Sequence, residues 1–320
     1  MPLLNDWQTC RTLLQQIDRI DPPGVNRLRV LIVDDGSTLP MAEDLCADLP
    51  QQRINDVFVL TLACNVGHQR AIALGLAWVA TECADDYVVV MDSDGEDNPS
   101  DVVRLIEALS ENPGRIVVAG RAERSEGVQF RLGYAAYQLL FRVLVGRQID
   151  FGNFSAFGPA VVQRLARMSD TWNHLAATLL RSRVALVHVP TKRGTRYAGQ
   201  STMNVPALIA HGLSAFAVFS DYVFARLLLF ASGLGLCVLA GGVAVIAIRL
   251  FTSMATPGWA STLVAAFSIL FVQSILICLI ASVQMLATRN QPGAQPAALL
   301  ALFVRDLHRF PLKTLPSEPE

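Results

Sequence analysis

Hydrophobic and polar positions change rhythm near Asp221. Before it, short apolar runs alternate with amphipathic stretches. Arg29–Val33, Val57–Ala63, Tyr87–Met91, Ile116–Ala119 and Val184–Val189 are short apolar-rich runs, several of them β-branched, and predict strands. Thr9–Ile20, His68–Thr81 and Ser100–Ser110 repeat their apolar residues at helical spacing, the last opened by Pro99 and Ser100. The unbroken runs VLIV and VVVM read as strands covered on both faces, hence a mostly parallel α/β sheet. After Asp221 the pattern becomes apolar all round. Leu227–Ile248 and Thr262–Ala287 carry no charge. At 1.5 Å per residue the shorter spans about 33 Å, enough for a hydrocarbon core of about 30 Å.

The pattern divides the chain into a globular part at 1–204, an interfacial helix at 205–222, a hairpin at 223–290 and a tail at 291–320. The hairpin spans fall at about 227–248 and 262–287, with two buried core helices as the alternative. Its glycines, in GLGLCVLAGG, suit close helix packing. The hairpin tip has no Lys or Arg, whereas the tail carries Arg289, Arg305, Arg309 and Lys313. The positive-inside rule then puts both chain ends in the cytoplasm, with Arg249 as the one mark against it.

Composition adds little beyond this. The 320 residues allow one large domain with an appendage, and a net charge of −1 gives no reason to expect nucleic acid. Hydrophobic residues reach 52%, almost all of the excess lying after Asp221. Six cysteines without CxxC spacing suggest a reducing compartment.

Acids collect at two strand ends. VVVMDSDGEDNP places Asp92, Asp94, Glu96 and Asp97 after an apolar run. As an EF-hand loop it fails, because the sixth position is Asp97 rather than Gly and the twelfth is Val103. An Asp-x-Asp pair, Asp92 and Asp94, can instead hold Mg²⁺ or Mn²⁺ against a diphosphate, although such loops are also common on surfaces. Glu96 and Asp97 read as leading into the Pro99 helix start. In VLIVDDGST, Asp34 and Asp35 end a strand where α/β folds bind nucleotides, and turn chemistry at Ser37 is compatible with that role.

In order along the chain, Pro2–Asp6, VDDGST at 33–38, Asn65-Val66-Gly67-His68-Gln69, Asp92-Ser93-Asp94 and RGTRYAGQS at 193–201 resemble glycosyltransferase family 2. The last of these resembles the segment of its polyprenyl-phosphate branch. The resemblance implies a GT-A fold, a nucleotide-sugar donor, a metal ion and a polyprenyl phosphate acceptor such as undecaprenyl phosphate. It also implies a multi-pass bacterial inner-membrane enzyme with inverting chemistry, and leaves a homo-oligomer open. Carried over by residue, Asp34, Asp35, Asn65, Gly67, His68 and Gln69 would contact the nucleotide, and Asp92 and Asp94 the metal and diphosphate. Arg121, Arg131, Arg193 and Arg196 would bind phosphates, and Ser201 would order its loop.

The chain departs from that pattern in three places. It reads Gly152-Asn153-Phe154-Ser155 where many relatives read G-D-F-R, and Ser201-Thr202-Met203 where they read S-K-Y. The hydrophobic strand that precedes the first segment in the family is missing, so the native start is expected upstream of Met1. A phosphate acceptor, with its second pKa near 6, is largely ionised at neutral pH and needs no general base. The lost carboxylate therefore favours phosphate over hydroxyl. The alternatives are transfer to a lipid or glycan hydroxyl, and a non-catalytic protein that binds nucleotide-sugar.

Overall fold

The structure, a computed structural model, describes residues 1–42, 45–47, 49, 53–121, 128–192, 194–197, 205–252, 258–290 and 294–312. The chain forms two compact units. One comprises Met1–Tyr134, Ile149–Val218 and Gly293–Glu320, the other Ala135–Gln148 and Phe219–Pro292.

The elements run β1 (Pro2–Leu3), α1 (Trp7–Ile17), β2 (Leu28–Asp34), β3 (Ile54–Leu62), α2 (His68–Glu82) and β4 (Val88–Val90). Then follow α3 (Pro99–Glu111), β5 (Ile116–Arg121), α4 (Val128–Val145), β6 (Phe151–Phe157), α5 (Pro159–Arg167) and α6 (Leu175–Arg181). The chain closes with β7 (Leu186–Thr191), α7 (Val205–Val218), α8 (Ser220–Phe251), α9 (Trp259–Asn290), α10 (Pro296–Phe303) and β8 (Val304–Pro311).

Two four-stranded sheets result, ordered β1-β2-β3-β8 and β4-β6-β5-β7. β1, β2 and β3 pair in parallel, as do β5 and β7. The α/β class expected from the sequence is found, but the sheets are mixed. β6 runs antiparallel between β4 and β5, and β8 antiparallel to β3. β6 has the sequence FGNFSAF, whose glycine, asparagine and serine hide it from β-propensity. From the sequence no strand is expected before Asn5, but Pro2–Leu3 forms one, β1. It pairs only Pro2 with Val33 and Leu3 with Asp34. Leu28–Leu31 of β2 and Val88–Val90 of β4 line one apolar cavity of about 680 Å³.

Helical periodicity explains the layers. α1 buries Trp7, Cys10, Leu13, Leu14 and Ile17, three or four residues apart, so one stripe faces the sheet. α3 starts at Pro99 behind an Asn98 cap whose side chain accepts from the Ser100 amide (3.1 Å), and buries Val102, Leu105 and Leu109. Leu13, Leu14, Leu105 and Ile32 join one core. A second core brings Ile72 and Leu76 of α2 against Val118, Phe157, Leu165 and Leu179.

The stretch expected to be a tail folds onto the sheet. α10 packs Leu300 and Phe303 against the cluster of Val33, Leu60 and Trp78. β8 then pairs along β3 from Leu62↔Val304 to Asp56↔Pro311. Asp56 is buried, and Arg309 reaches its Oδ1 through Nε (3.0 Å) and Nη2 (2.8 Å). Arg27 donates to its Oδ2 (2.8 Å), and Arg309 also lies over the Phe58 ring.

In the other unit, α8 and α9 pack on each other, with Gly241 against the Phe267 ring, where an added Cβ would stand 3.2 Å away. Both are long and apolar enough to cross a membrane. Leu229 and Phe230 are 72% and 71% exposed and Ile280 67%, so these are not the buried helices of a soluble core.

Candidate active site

The acid clusters meet at the carboxyl ends of β2 and β4, although the two strands belong to different sheets. The link is β1. Ser93, just beyond β4, is buried and donates its hydroxyl to the Pro2 carbonyl (2.8 Å), while Leu3 pairs with Asp34.

Asp34 and Asp35 are both buried. Asp34 Oδ1 accepts from the Ser37 amide (2.9 Å) and so closes its own turn. Asp35 reaches across to the next strand end, accepting from the amides of Val66 (2.7 Å) and Gly67 (3.0 Å). Burial raises its pKa, and those two amides and His68 oppose the rise. Asn5 completes the turn, its Oδ1 accepting from the amides of Thr38 (2.8 Å) and Leu39 (2.9 Å). Gly36 has φ +70°, and a Cβ there would stand 2.7 Å from the backbone of Cys64 and Asn65, so only glycine fits.

Gly67, at φ +93°, turns the chain into α2, and His68 and Gln69 open that helix. Exposed His68 places Nε2 3.3 Å from Asp92 Oδ1 and 3.0 Å from Asn153 Nδ2. The groups packed around the ring partly desolvate it and oppose its protonated form, but the hydrogen bond and charge of Asp92, with Asp94, raise its pKa above the ordinary value. His68 is thus within electrostatic reach of Asp35 as well as of Asp92 and Asp94.

The DSDGED loop is internally braced. Asp97 accepts from the Asp92 amide (2.9 Å), so it clips the loop rather than capping the helix expected to follow it, which Asn98 does. Asp94 Oδ1 accepts from the Glu96 amide (3.0 Å) and its Oδ2 pairs with Arg196 Nη2 (2.8 Å). Burial raises the Asp94 pKa, the Asp92 and Glu96 charges add to the rise, and the Glu96 amide and Arg196 oppose it.

The segment Gly194–Tyr197 straps across this loop. The Gly194 amide donates to the Glu96 carbonyl (2.8 Å) and the Tyr197 amide to that of Asp94 (3.2 Å). Tyr197 Oη donates to Gln16 Oε1 on α1 (2.7 Å). Gly95, at φ +85°, lies under the Tyr197 ring, where a Cβ would come within 2.4 Å of it. Gly95→Ala is expected to displace Tyr197, free Arg196 from Asp94 and destabilise the fold by about 1–3 kcal/mol, read from thermal unfolding.

The expected site is therefore assembled in part. Asp34, Asp35, Gly67, His68, Gln69, Asp92, Asp94 and Arg196 gather around the two strand ends, with Asn65 exposed in the turn before α2. Arg193 and Ser201 lie outside the described residues. The backbone of Arg121 ends β5, opposite Thr191, and that of Arg131 lies in α4; their side chains are also outside the description. Sequence reasoning missed Asn153 as a partner of His68, and missed Tyr197 with Gln16. Asn153 had left a trace, as the residue that breaks the expected G-D-F-R.

Among the described residues no group of three or more His, Cys, Asp and Glu side chains is disposed to hold a metal. Asp92 and Asp94 offer two carboxylates at one loop. That donor set fits an ion completing its shell with water and phosphate oxygens.

Residues 1–165, just over half of the chain, match the family described as Glycosyl transferase family 2. The undecaprenyl-phosphate 4-deoxy-4-formamido-L-arabinose transferase of Pseudomonas savastanoi pv. phaseolicola is 27% identical over 126 residues. The match covers 39% of this chain and 36% of that relative, so the chain spans about a third of the relative's length. With two acid-bearing strand ends joined through β1 and a match running from Met1 through β6, this chain belongs to glycosyl transferase family 2.

Proposed function

We propose that this protein transfers a sugar from a nucleotide-sugar to a polyprenyl phosphate at a membrane surface. The observation that carries the reading is the meeting of Asp34–Asp35 and Asp92–Asp94 in a family 2 domain whose chain continues into two long apolar helices. The similarity to an undecaprenyl-phosphate transferase supports the choice of acceptor. α7 precedes the hairpin and α10 follows it, both within the unit that carries the site. That return of the chain supports two crossings, with both ends on the catalytic side.

In this reading the nucleoside lies by Asp34 and Asp35 and the diphosphate by Asp92 and Asp94. Mg²⁺ or Mn²⁺ held by Asp92 and Asp94 would neutralise the diphosphate and assist its departure. Arg196 then exchanges its Asp94 carboxylate for phosphate oxygens, which suit guanidinium geometry. The acceptor phosphate oxygen attacks the anomeric carbon, the bond to the diphosphate breaks, and the nucleoside diphosphate leaves with its electron pair. That oxygen is largely ionised at neutral pH, so alignment and charge neutralisation are the principal demands on the protein.

Membranes holding the full chain, incubated with labelled nucleotide-sugars and undecaprenyl phosphate, are expected to yield a labelled, mild-acid-labile lipid. EDTA should abolish it and added Mg²⁺ or Mn²⁺ restore it. Label appearing in a lipid stable to mild acid would point to a hydroxyl acceptor and overturn the phosphate reading.

A further inference from the structure

The C-terminal half of α4 turns apolar side chains in both directions. Its inner side is held by Phe141 and Val145, both buried, with Tyr137 and Leu144 half-buried beside them. Its outer side carries Ala135, Ala136, Leu139, Leu140 and Val143, spaced three and four apart, so that they form one continuous exposed face. Leu139, Leu140 and Val143 are each more than half exposed. Arg142, also exposed, borders that face. The sequence has no Asp or Glu from Gly127 to Ile149, whereas Arg131, Arg142 and Arg147 fall within that stretch.

The first long apolar helix sets the depth of this face. Arg226 is the last charged residue before the uncharged run Leu227–Ile248, so in the two-crossing reading its guanidinium stands at the headgroup boundary. There it serves α4. The last carbonyls of a helix lack intrahelical partners, and Arg226 Nη1 donates to that of Val143 and to that of Arg142, the latter at 3.4 Å. Gly146, at φ +79°, ends the helix by donating its amide to the Arg142 carbonyl (2.8 Å). An added Cβ on Gly146 would stand 2.5 Å from Arg226 Nη2. Phe141 meets Phe219, the residue before α8, edge to face at 5.9 Å between ring centroids. All these groups lie in the one compact unit that holds α8 and α9. α4 therefore ends at the level where the chain enters the bilayer.

We infer that this face of α4 is a membrane-contact surface: Leu139, Leu140 and Val143 lie in the headgroup boundary of the bilayer that α8 enters, with Arg142 on acidic phospholipid headgroups. This deepens the membrane-crossing part of the reading above and rests on it. A single exposed leucine needs no cover, but a continuous face of five apolar positions does. Apolar side chains outward, a cation at their border and no acid nearby form the pattern of a helix lying in an anionic lipid surface. The clasp between Arg226 and the α4 carbonyls brings that pattern to the depth where such a surface lies.

The test uses the full chain in vesicles of phosphatidylcholine and phosphatidylglycerol, with the photoreactive p-benzoylphenylalanine in place of Leu139. That position is exposed, so the larger side chain is accommodated, and Val143 serves as a second site for the same probe. Irradiation is expected to attach a phospholipid to the peptide holding the probe, with phosphatidylglycerol captured at about twice its share of the mixture or more. Arg142→Gln should bring that capture back toward its share. A crosslinked dimer would give the face to a second copy and overturn the proposal, as would the absence of any adduct at both sites. Phosphatidylglycerol captured only at its share would overturn the role of Arg142. The same probe at Leu276, exposed midway along α9, tests the crossing separately. An adduct at Leu276 without one at Leu139 or Val143 leaves the crossing standing and sinks the α4 surface. The reverse sinks the crossing and leaves α4 as a surface contact.

Discussion

Replacing Asp94 by asparagine is expected to lower sugar transfer by on the order of 10²- to 10³-fold, mostly in kcat. The substitution keeps the shape of the turn, because an asparagine Oδ1 still accepts from the Glu96 amide. It removes the charge that pairs with Arg196 and that, in the proposed reaction, would help hold a cation able to neutralise the diphosphate. Stability should not follow activity down. Burial, Asp92 and Glu96 together raise the Asp94 pKa, so its ionised form costs the fold free energy at neutral pH. A neutral amide removes that cost, and the unfolding midpoint is expected to stay level or rise slightly. Such a divergence marks a residue kept for chemistry rather than for folding. Transfer unchanged in Asp94→Asn would remove this carboxylate from the mechanism.

The second large effect is expected far from the site. A chain ending at Phe303 loses β8 and with it seven paired positions along β3, from Asp56 to Leu62. The exposed β3 edge then offers unpaired backbone groups to other chains, and of its two arginine partners among the described residues Asp56 keeps Arg27. The catalytic unit should be recovered aggregated, or with Val57–Leu60 open to rapid hydrogen exchange. Arg309→Ala is the milder form, costing about 1–2 kcal/mol because its guanidinium is partly solvated. Burial opposes the Asp56 charge, but Arg27 and Arg309 more than offset it and lower its pKa below the ordinary value. The resulting stability is complete above the unfolded pKa, near pH 4, and is lost as pH falls through the lower folded value. Arg309→Ala should therefore shift acid unfolding upward in pH. A deletion that unfolds at the wild-type temperature would show β8 to be dispensable.

Much of the architecture was legible because local pattern and tertiary environment agree. The stripe of α1, the Pro99 start of α3 and the VLIV and VVVM strands each carry their own periodicity, and each is found within a few residues of its expected bounds. The two apolar helices were legible for the same reason, since each holds an uncharged run of more than twenty residues that is apolar on every face, whatever its neighbours. β6 and β8 were not. FGNFSAF is a strand because β4 and β5 pair on its two sides, and VRDLHRFP because β3 offers an edge and Asp56 a partner for Arg309. Neither cause lies within the segment itself.

The site divides in the same way. The sequence by itself determined which acids are grouped: Asp34 with Asp35 and Asp92 with Asp94, each pair at the end of an apolar run. It also determined the family, through the order of its short motifs. Only the tertiary structure decided that these pairs meet through Pro2 and Ser93, and that Asp35 spends both oxygens on the Val66–Gly67 turn. It alone decided that Asp97 clips a loop, and that Asn153 belongs to His68 across 85 residues of chain. The physical reason is range. Periodicity and charge clustering act between near neighbours and are written in order, whereas a hydrogen bond needs two groups within about 3 Å, and only the folded chain brings distant ones so close.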